Sequence, residues 1–270
     1  MIKKVEKQIE INFSSQVLTR ECVGQMFIAI YELLLFQRNC IPFVYKTFKF
    51  CVSRLPEIDD EEQGNIHFET HRQISVAKKT LEDIKNHFEL ILNTFKTKEV
   101  REMRVLFGST PLTPKEVWVL KCPKISKNHS NENHRSSADS LVKNVLMQII
   151  ISTDLCDYFA SKPLPQTNVF LEFDMTTLVD DDFNIFTEKD SEERILQCNN
   201  ITLDLIREEE TNQPNCCLDL EISEGVGKIF LEKTEKLEST FSTYEVNDFI
   251  KGYKDKLVKG KTIWEICGKK

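Results

Sequence analysis

Between Thr19 and Asn39 the sequence places Val23, Met26, Phe27, Ile28, Ile30, Leu33, Leu34, Leu35 and Phe36, apolar residues that surround a helix axis almost completely. A helix apolar on nearly every side is stable only when other elements cover it on several sides. The pattern predicts such a central helix from about Arg20 to Arg38, with Thr19 as N-cap and with Asn39 and Pro42 ending it. A chain of 270 residues with 40% hydrophobic content can supply the cover, and a single domain spanning residues 1–270 is expected.

The rest of the chain offers the covering elements. Ile9, Ile11 and Phe13 alternate with polar residues as in a strand. From His71 to Phe95 the apolar residues Ile74, Ala77, Leu81, Ile84, Phe88, Ile91, Leu92 and Phe95 recur at three and four, which predicts a long amphipathic helix. Met103–Phe107 and Val117–Leu120 read as strands separated by Gly108, Pro111 and Pro114, in a hairpin or a crossover. A third helix is expected over Ala138–Phe159. It carries two stripes, Val142, Val145, Leu146 and Ile149 on one side and Met147, Ile151, Leu155 and Tyr158 roughly opposite. One stripe meets the core, and the other needs cover from this chain or from a partner.

After Pro163 and Pro165 strands dominate: Val169–Phe173, Ile201–Ile206, Leu218–Ile222 and Ile229–Leu231. Val246, Phe249, Ile250, Tyr253 and Leu257 have helical spacing and predict one late helix, followed by an extended segment Thr262–Ile266. Two polar stretches, 56–69 and 123–137, read as flexible loops.

Charge and motifs exclude several functions. A net charge of -7 and a pI near 5.4 disfavour a sequence-independent grip on nucleic acid. No run of about 18 apolar residues predicts a membrane span, and Met1–Lys7 has no apolar signal core, so an intracellular protein is expected. Nine scattered cysteines without any Cys-x-x-Cys are read as reduced thiols. Gly108–Lys115 resembles a phosphate loop only superficially, because its second glycine is missing and Pro114 removes an amide. Gly225-Val226-Gly227-Lys228 reads as a strand turn. Asp180-Asp181-Asp182 lacks the ligand spacing of a calcium loop, and His67 and His71 lack the glutamate and third ligand of a zinc protease. No Gly-x-Ser-x-Gly occurs, so no catalytic residue, cofactor or metal site is assigned.

Tyr31–Tyr45, with Phe36-Gln37-Arg38 at its centre, resembles the first core helix and following turn of the Comet family, the Mad-two-binding adaptors of the spindle checkpoint. Val105-Leu106-Phe107-Gly108, followed by Leu112–Val117, is similar to that family's strand, glycine turn and Ser/Thr-Pro-Lys-Glu segment. Leu146-Met147-Gln148 and Asp154 fall at corresponding places in the third helix. The resemblance covers roughly Ile9–Phe159 in order. It implies an α+β fold of the HORMA type: three core helices packed on a mainly antiparallel β-sheet, with a C-terminal segment wrapped on that sheet and Trp264–Cys267 in the part of the wrapped strand.

It also implies a function. Such a protein is a non-catalytic adaptor that binds the closed form of the Mad-two checkpoint protein and presents it to a Pch-two-type AAA+ ATPase. The result is disassembly of the mitotic checkpoint complex and silencing of the spindle assembly checkpoint, in nucleus and cytoplasm and at the spindle or kinetochore in mitosis. By this resemblance Gln37 and Met147 are partner-binding residues, Ile151, Leu155 and Tyr158 extend the patch, and Lys189 faces the ATPase. Met147 replaces a large aromatic contact of the family, and Glu188 replaces a proline. Neither nucleic acid nor membrane is an expected partner. Two alternatives compete: a HORMA-type regulator of another pathway, such as the meiotic axis or autophagy, that captures a peptide, and a carboxylate-metal enzyme using Asp180 and Asp182.

Overall fold

The computed structural model describes residues 4–56, 68–126, 129, 134–178, 184–189, 198–209 and 240–267. The apolar run opens the helical layer as α1 (Arg20–Gln37), whose N-cap Thr19 accepts from the Cys22 amide at 3.3 Å. Val23, Phe27, Ile30, Tyr31 and Leu35 are all fully buried. Two further long helices flank it: α3 (Phe68–Thr97), on the order of 45 Å long, and α4 (Arg135–Ile151). At Gly24 α1 and α3 pack closely, since a side chain there would meet the Phe95 Cβ at 3.2 Å. A short α2 (Tyr45–Ser53), a continuation α5 (Thr153–Ser161) and a terminal α6 (Ile263–Cys267) complete the described helices.

These helices cover a mixed sheet of β1 (Glu6–Ser15), β2 (Val100–Gly108), β3 (Pro114–Lys121), β4 (Asn168–Thr176), β5 (Phe186–Lys189), β6 (Asn199–Glu209), β7 (Phe241–Val246) and β8 (Ile250–Lys251). Its order is β1-β6-β3-β2-β4-β7-β5, with β8 also pairing β4. Most pairs are antiparallel; β6 alone runs parallel, to both β1 and β3. The architecture is therefore α+β with a mainly antiparallel sheet. Alternation sorts the strands cleanly, as Val105, Phe107, Trp118, Leu120, Leu171, Phe173, Ile201 and Leu203 join the helices in one core. On the other face Leu106, Val117, Phe170 and Cys198 form a smaller cluster. After β4 the chain visits both sheet ends, for β5 is one edge strand and β6, next in sequence, lies beside β1 at the other.

Several expectations need correction. The third helix is not continuous: Ser152, at φ -65° and ψ 112°, leaves the helical region and separates α4 from α5. The late helix over Val246–Leu257 is absent. Its apolar residues belong to the end of β7, to β8 and to an irregular stretch, where the Tyr253 amide donates to the Cys40 carbonyl at 2.8 Å. Gly252 permits that passage, because a Cβ there would stand 2.9 Å from the Thr167 carbonyl oxygen. Thr262–Ile266 is not extended; it forms α6, closed by a capping box in which Glu265 Oε2 accepts from the Thr262 amide at 2.8 Å. Of the loops expected at 56–69 and 123–137, Phe68 and Glu69 lie in α3 and 135–137 in α4. Leu218–Ile222, Gly225–Lys228, Ile229–Leu231, Asp180–Asp182 and His67 fall outside the described residues.

Candidate functional site

Four side chains at the end of α1 build one buried polar centre. Arg38, the C-cap of α1, is fully buried, and its Nε donates to Glu116 Oε1 at 2.6 Å. Glu116, at the start of β3, also accepts from Trp118 Nε1 at 2.5 Å and, through Oε2, from the Tyr158 hydroxyl at 2.6 Å. The guanidinium lies 4.8 Å from the Tyr158 ring centre and 4.6 Å from that of Phe159, and Nη1 donates to the Lys162 carbonyl at 3.1 Å. Burial and the hydrogen bond to Glu116 push the Tyr158 phenol well above its ordinary pKa, so it remains a neutral donor. The centre bolts the last turn of α1 to β3 and α5. That is a positioning arrangement. Arg38 Nη2, also buried, has no hydrogen-bond partner among the described residues.

The resemblance-derived residues divide around this centre. Met147 and Ile151, one helical turn apart on α4, are 57% and 66% exposed, and Ile150, outside both expected stripes, is 50% exposed. Together they form an apolar strip in water, the kind of surface a partner covers. On the side of α4 facing inward, Val145 and Ile149 are buried, while Val142 and Leu146 are partly buried against the core. Leu155 and Tyr158 must be removed from the patch. The break at Ser152 re-aims α5, so Leu155 is fully buried and Tyr158 belongs to the Glu116 centre. Gln37 ends α1 half-buried, directly before Arg38. Lys189 sits on the edge strand β5 in an ion pair with Glu245 at 2.5 Å. The α4 strip lies over β1, at the opposite end of the sheet from Lys189, so the structure does not bring those two together.

A second buried pair was not legible from sequence. His87 on α3 is almost fully buried, and its Nδ1 lies 2.9 Å from the Tyr31 hydroxyl. Burial depresses the imidazole pKa to about 4, although the Asp248 carbonyl and carboxylate favour the proton. Burial pushes the Cys40 and Cys122 thiols up to about 12, away from the reactive thiolate form. Among the described residues no cluster of three His, Cys, Asp or Glu side chains is placed to hold a metal ion. No helix among them is long and apolar enough to cross a membrane. His71 lies half-buried in the first turns of α3. Neither a protein-family model nor a curated protein matches the sequence.

Proposed function

We propose that this chain is a non-catalytic adaptor with a HORMA-like fold, which binds the closed form of the Mad-two checkpoint protein and presents it to a Pch-two-type AAA+ ATPase. The observation that carries the reading is the exposed strip Met147, Ile150 and Ile151 on α4, at the place where the Comet-type resemblance puts a partner contact. Three long helices sharing one core with the sheet, and a C-terminal half that reaches both sheet ends, support the HORMA part of the reading. The distance along the sheet from the strip to Lys189 suits a protein that holds a client at one end and meets a motor at the other.

The surface chemistry favours binding over catalysis. An unpaired apolar strip gains from being covered, roughly 25 cal/mol for each Å² removed from water. The buried polar centre behind α1 keeps the helices that frame it fixed. In this reading Gln37 supplies a polar contact near the end of α1 and Met147 an adaptable apolar one. Checkpoint silencing follows from delivery of the client for remodelling, and the adaptor itself breaks no bond.

A pull-down with purified closed and open forms of the checkpoint protein tests this. Retention of the closed form alone is the expected result, and failure to retain either sinks the proposal. One observation keeps the peptide-capturing alternative in view: Trp264 lies in the helix α6 and packs beside Phe43, Phe48 and Tyr253, so it is not a wrapped strand. Capture of a peptide with no affinity for the closed checkpoint protein would select that alternative.

A further inference from the structure

β1 is an edge of the sheet: β6 pairs with one side of it, and among the described residues no strand pairs with the other. The register determines which backbone groups are left over. The Asn200 amide donates to the Val5 carbonyl at 2.8 Å while Glu6 stands opposite Asn200. In a parallel ladder this commits the odd-numbered residues of β1 to β6 and turns the N–H and C=O of Gln8, Glu10 and Asn12 outward. One outward group is engaged, since Gln148 Nε2 on α4 donates to the Asn12 carbonyl at 2.7 Å. Farther along, Lys7 Nζ donates to the Asp154 carbonyl at 3.1 Å. Ile151 lies between Gln148 and Asp154 in the chain, one turn beyond Gln148 and exposed. The helical layer thus brings Ile151 to the open edge, and among the described residues no bond from it caps the Gln8 and Glu10 backbone.

The other face of the edge is acidic. Ile11 and Phe13 point into the core, whereas Glu6, Gln8, Glu10, Asn12 and Ser14 are exposed on the far face. Register places Glu10 beside Asp204 and Ser14 beside Glu208. Lys121 offsets Asp204 at 3.6 Å, and Lys4 stands at the start of the strand, so Glu6, Glu10 and Glu208 leave this margin net negative. Edge carboxylates repel most incoming strands, which is how natural sheets avoid indiscriminate pairing. Against a basic strand the same charges attract.

We propose that the outer edge of β1 accepts an extended segment of a partner protein in which basic and apolar residues alternate. The segment pairs its main chain with Gln8 and Glu10, lays its basic side chains on the Glu6 and Glu10 face, and turns its apolar ones toward Ile151 and Met147. Two other occupants fit less well. A second copy of this chain brings Glu6 and Glu10 against their own counterparts. The chain's own Leu218-Asp219-Leu220-Glu221-Ile222 alternates apolar with acidic residues and meets the same repulsion. The inference rests on the edge, its charges and the Ile151 and Met147 surface beside it, and the peptide test reads it without the checkpoint protein.

Fluorescence anisotropy with the full chain tests it, using a labelled decapeptide of alternating lysine and isoleucine. The controls are a scrambled peptide of the same composition and an alternating glutamate and isoleucine peptide. The alternating lysine peptide is expected to bind about tenfold or more tighter than either control. N-methylation of alternate residues on the peptide should abolish binding to the unmodified chain. Gln8→Pro removes only an outward N–H, so it should weaken binding about tenfold while the thermal transition stays nearly unchanged. Glu6→Lys combined with Glu10→Lys should transfer the preference to the glutamate peptide. Equal binding of all three peptides, no binding of the lysine peptide, or indifference to N-methylation overturns the proposal. A chain dimer that Gln8→Pro splits would assign the edge to a second copy instead.

Discussion

Arg38 Nε stands 2.6 Å from Glu116 Oε1 with neither side chain exposed to water, which makes the C-cap of α1 one half of a buried ion pair. Removing one partner leaves the other charged and unpaired in the core. Arg38→Met is therefore expected to cost about 3–5 kcal/mol, read as a lowered urea midpoint. Adding Glu116→Gln to that variant should recover part of the loss, because the orphaned charge is removed while the amide oxygen still accepts from one of the Trp118 and Tyr158 donors. No recovery in the double variant would mean that packing against the aromatic rings, and not charge pairing, dominates the site.

The break at Ser152 predicts opposite behaviour for two residues of one expected stripe. Leu155→Ala should destabilise the fold by roughly 2–5 kcal/mol through the cavity it opens. Ile151→Glu should leave the thermal transition nearly unchanged, as its side chain already faces water. Calorimetric melting of the two variants distinguishes these outcomes, and similar losses for both would contradict the separation of α4 from α5.

His87 sets a pH dependence of stability. Its folded pKa, near 4, lies below the ordinary value of 6.5, so between these values the unfolded chain binds the extra proton. Its contribution is thus complete above about pH 6.5 and is lost as pH falls toward 4, with a slope of at most about 1.4 kcal/mol per pH unit. Urea unfolding at stepped pH should show His87→Gln lacking that component of the slope. Parallel slopes for the two proteins would refute the assignment.

Trp264 anchors α6 through three aromatic neighbours and through a hydrogen bond from Nε1 to Asp255 Oδ2 at 2.9 Å. Trp264→Ala should cost roughly 2–4 kcal/mol and expose the segment after Gly252 to rapid amide exchange, with α1 and α3 still protected. Uniform loss of protection would show instead that α6 is inseparable from the core.

The elements legible in sequence were those whose period matched their environment. α1 announced itself by being apolar all round, α3 by thirty residues with one buried stripe, and β1 by alternation. α2 escaped because only Phe48 and Val52 are buried on it and no side chain caps its start. The stretch after Val246 misled because two short strands and an irregular turn bury Val246, Ile250 and Tyr253 at three and four, the spacing of a helix. Thr262-x-x-Glu265 did carry a capping-box signal for α6. The polar centre was hidden for a different reason, since Arg38 and Glu116 are 78 residues apart and only the packing of α1 on β3 joins them.

The binding proposed for the α4 strip is checked by calorimetric titration of the closed checkpoint protein into the wild-type chain and into Met147→Glu. Saturable binding to the wild type, loss of about 2 kcal/mol or more of binding energy in the variant, and an unchanged melting transition are the expected results. Equal binding by both proteins, or no heat of binding with the wild type, would contradict it.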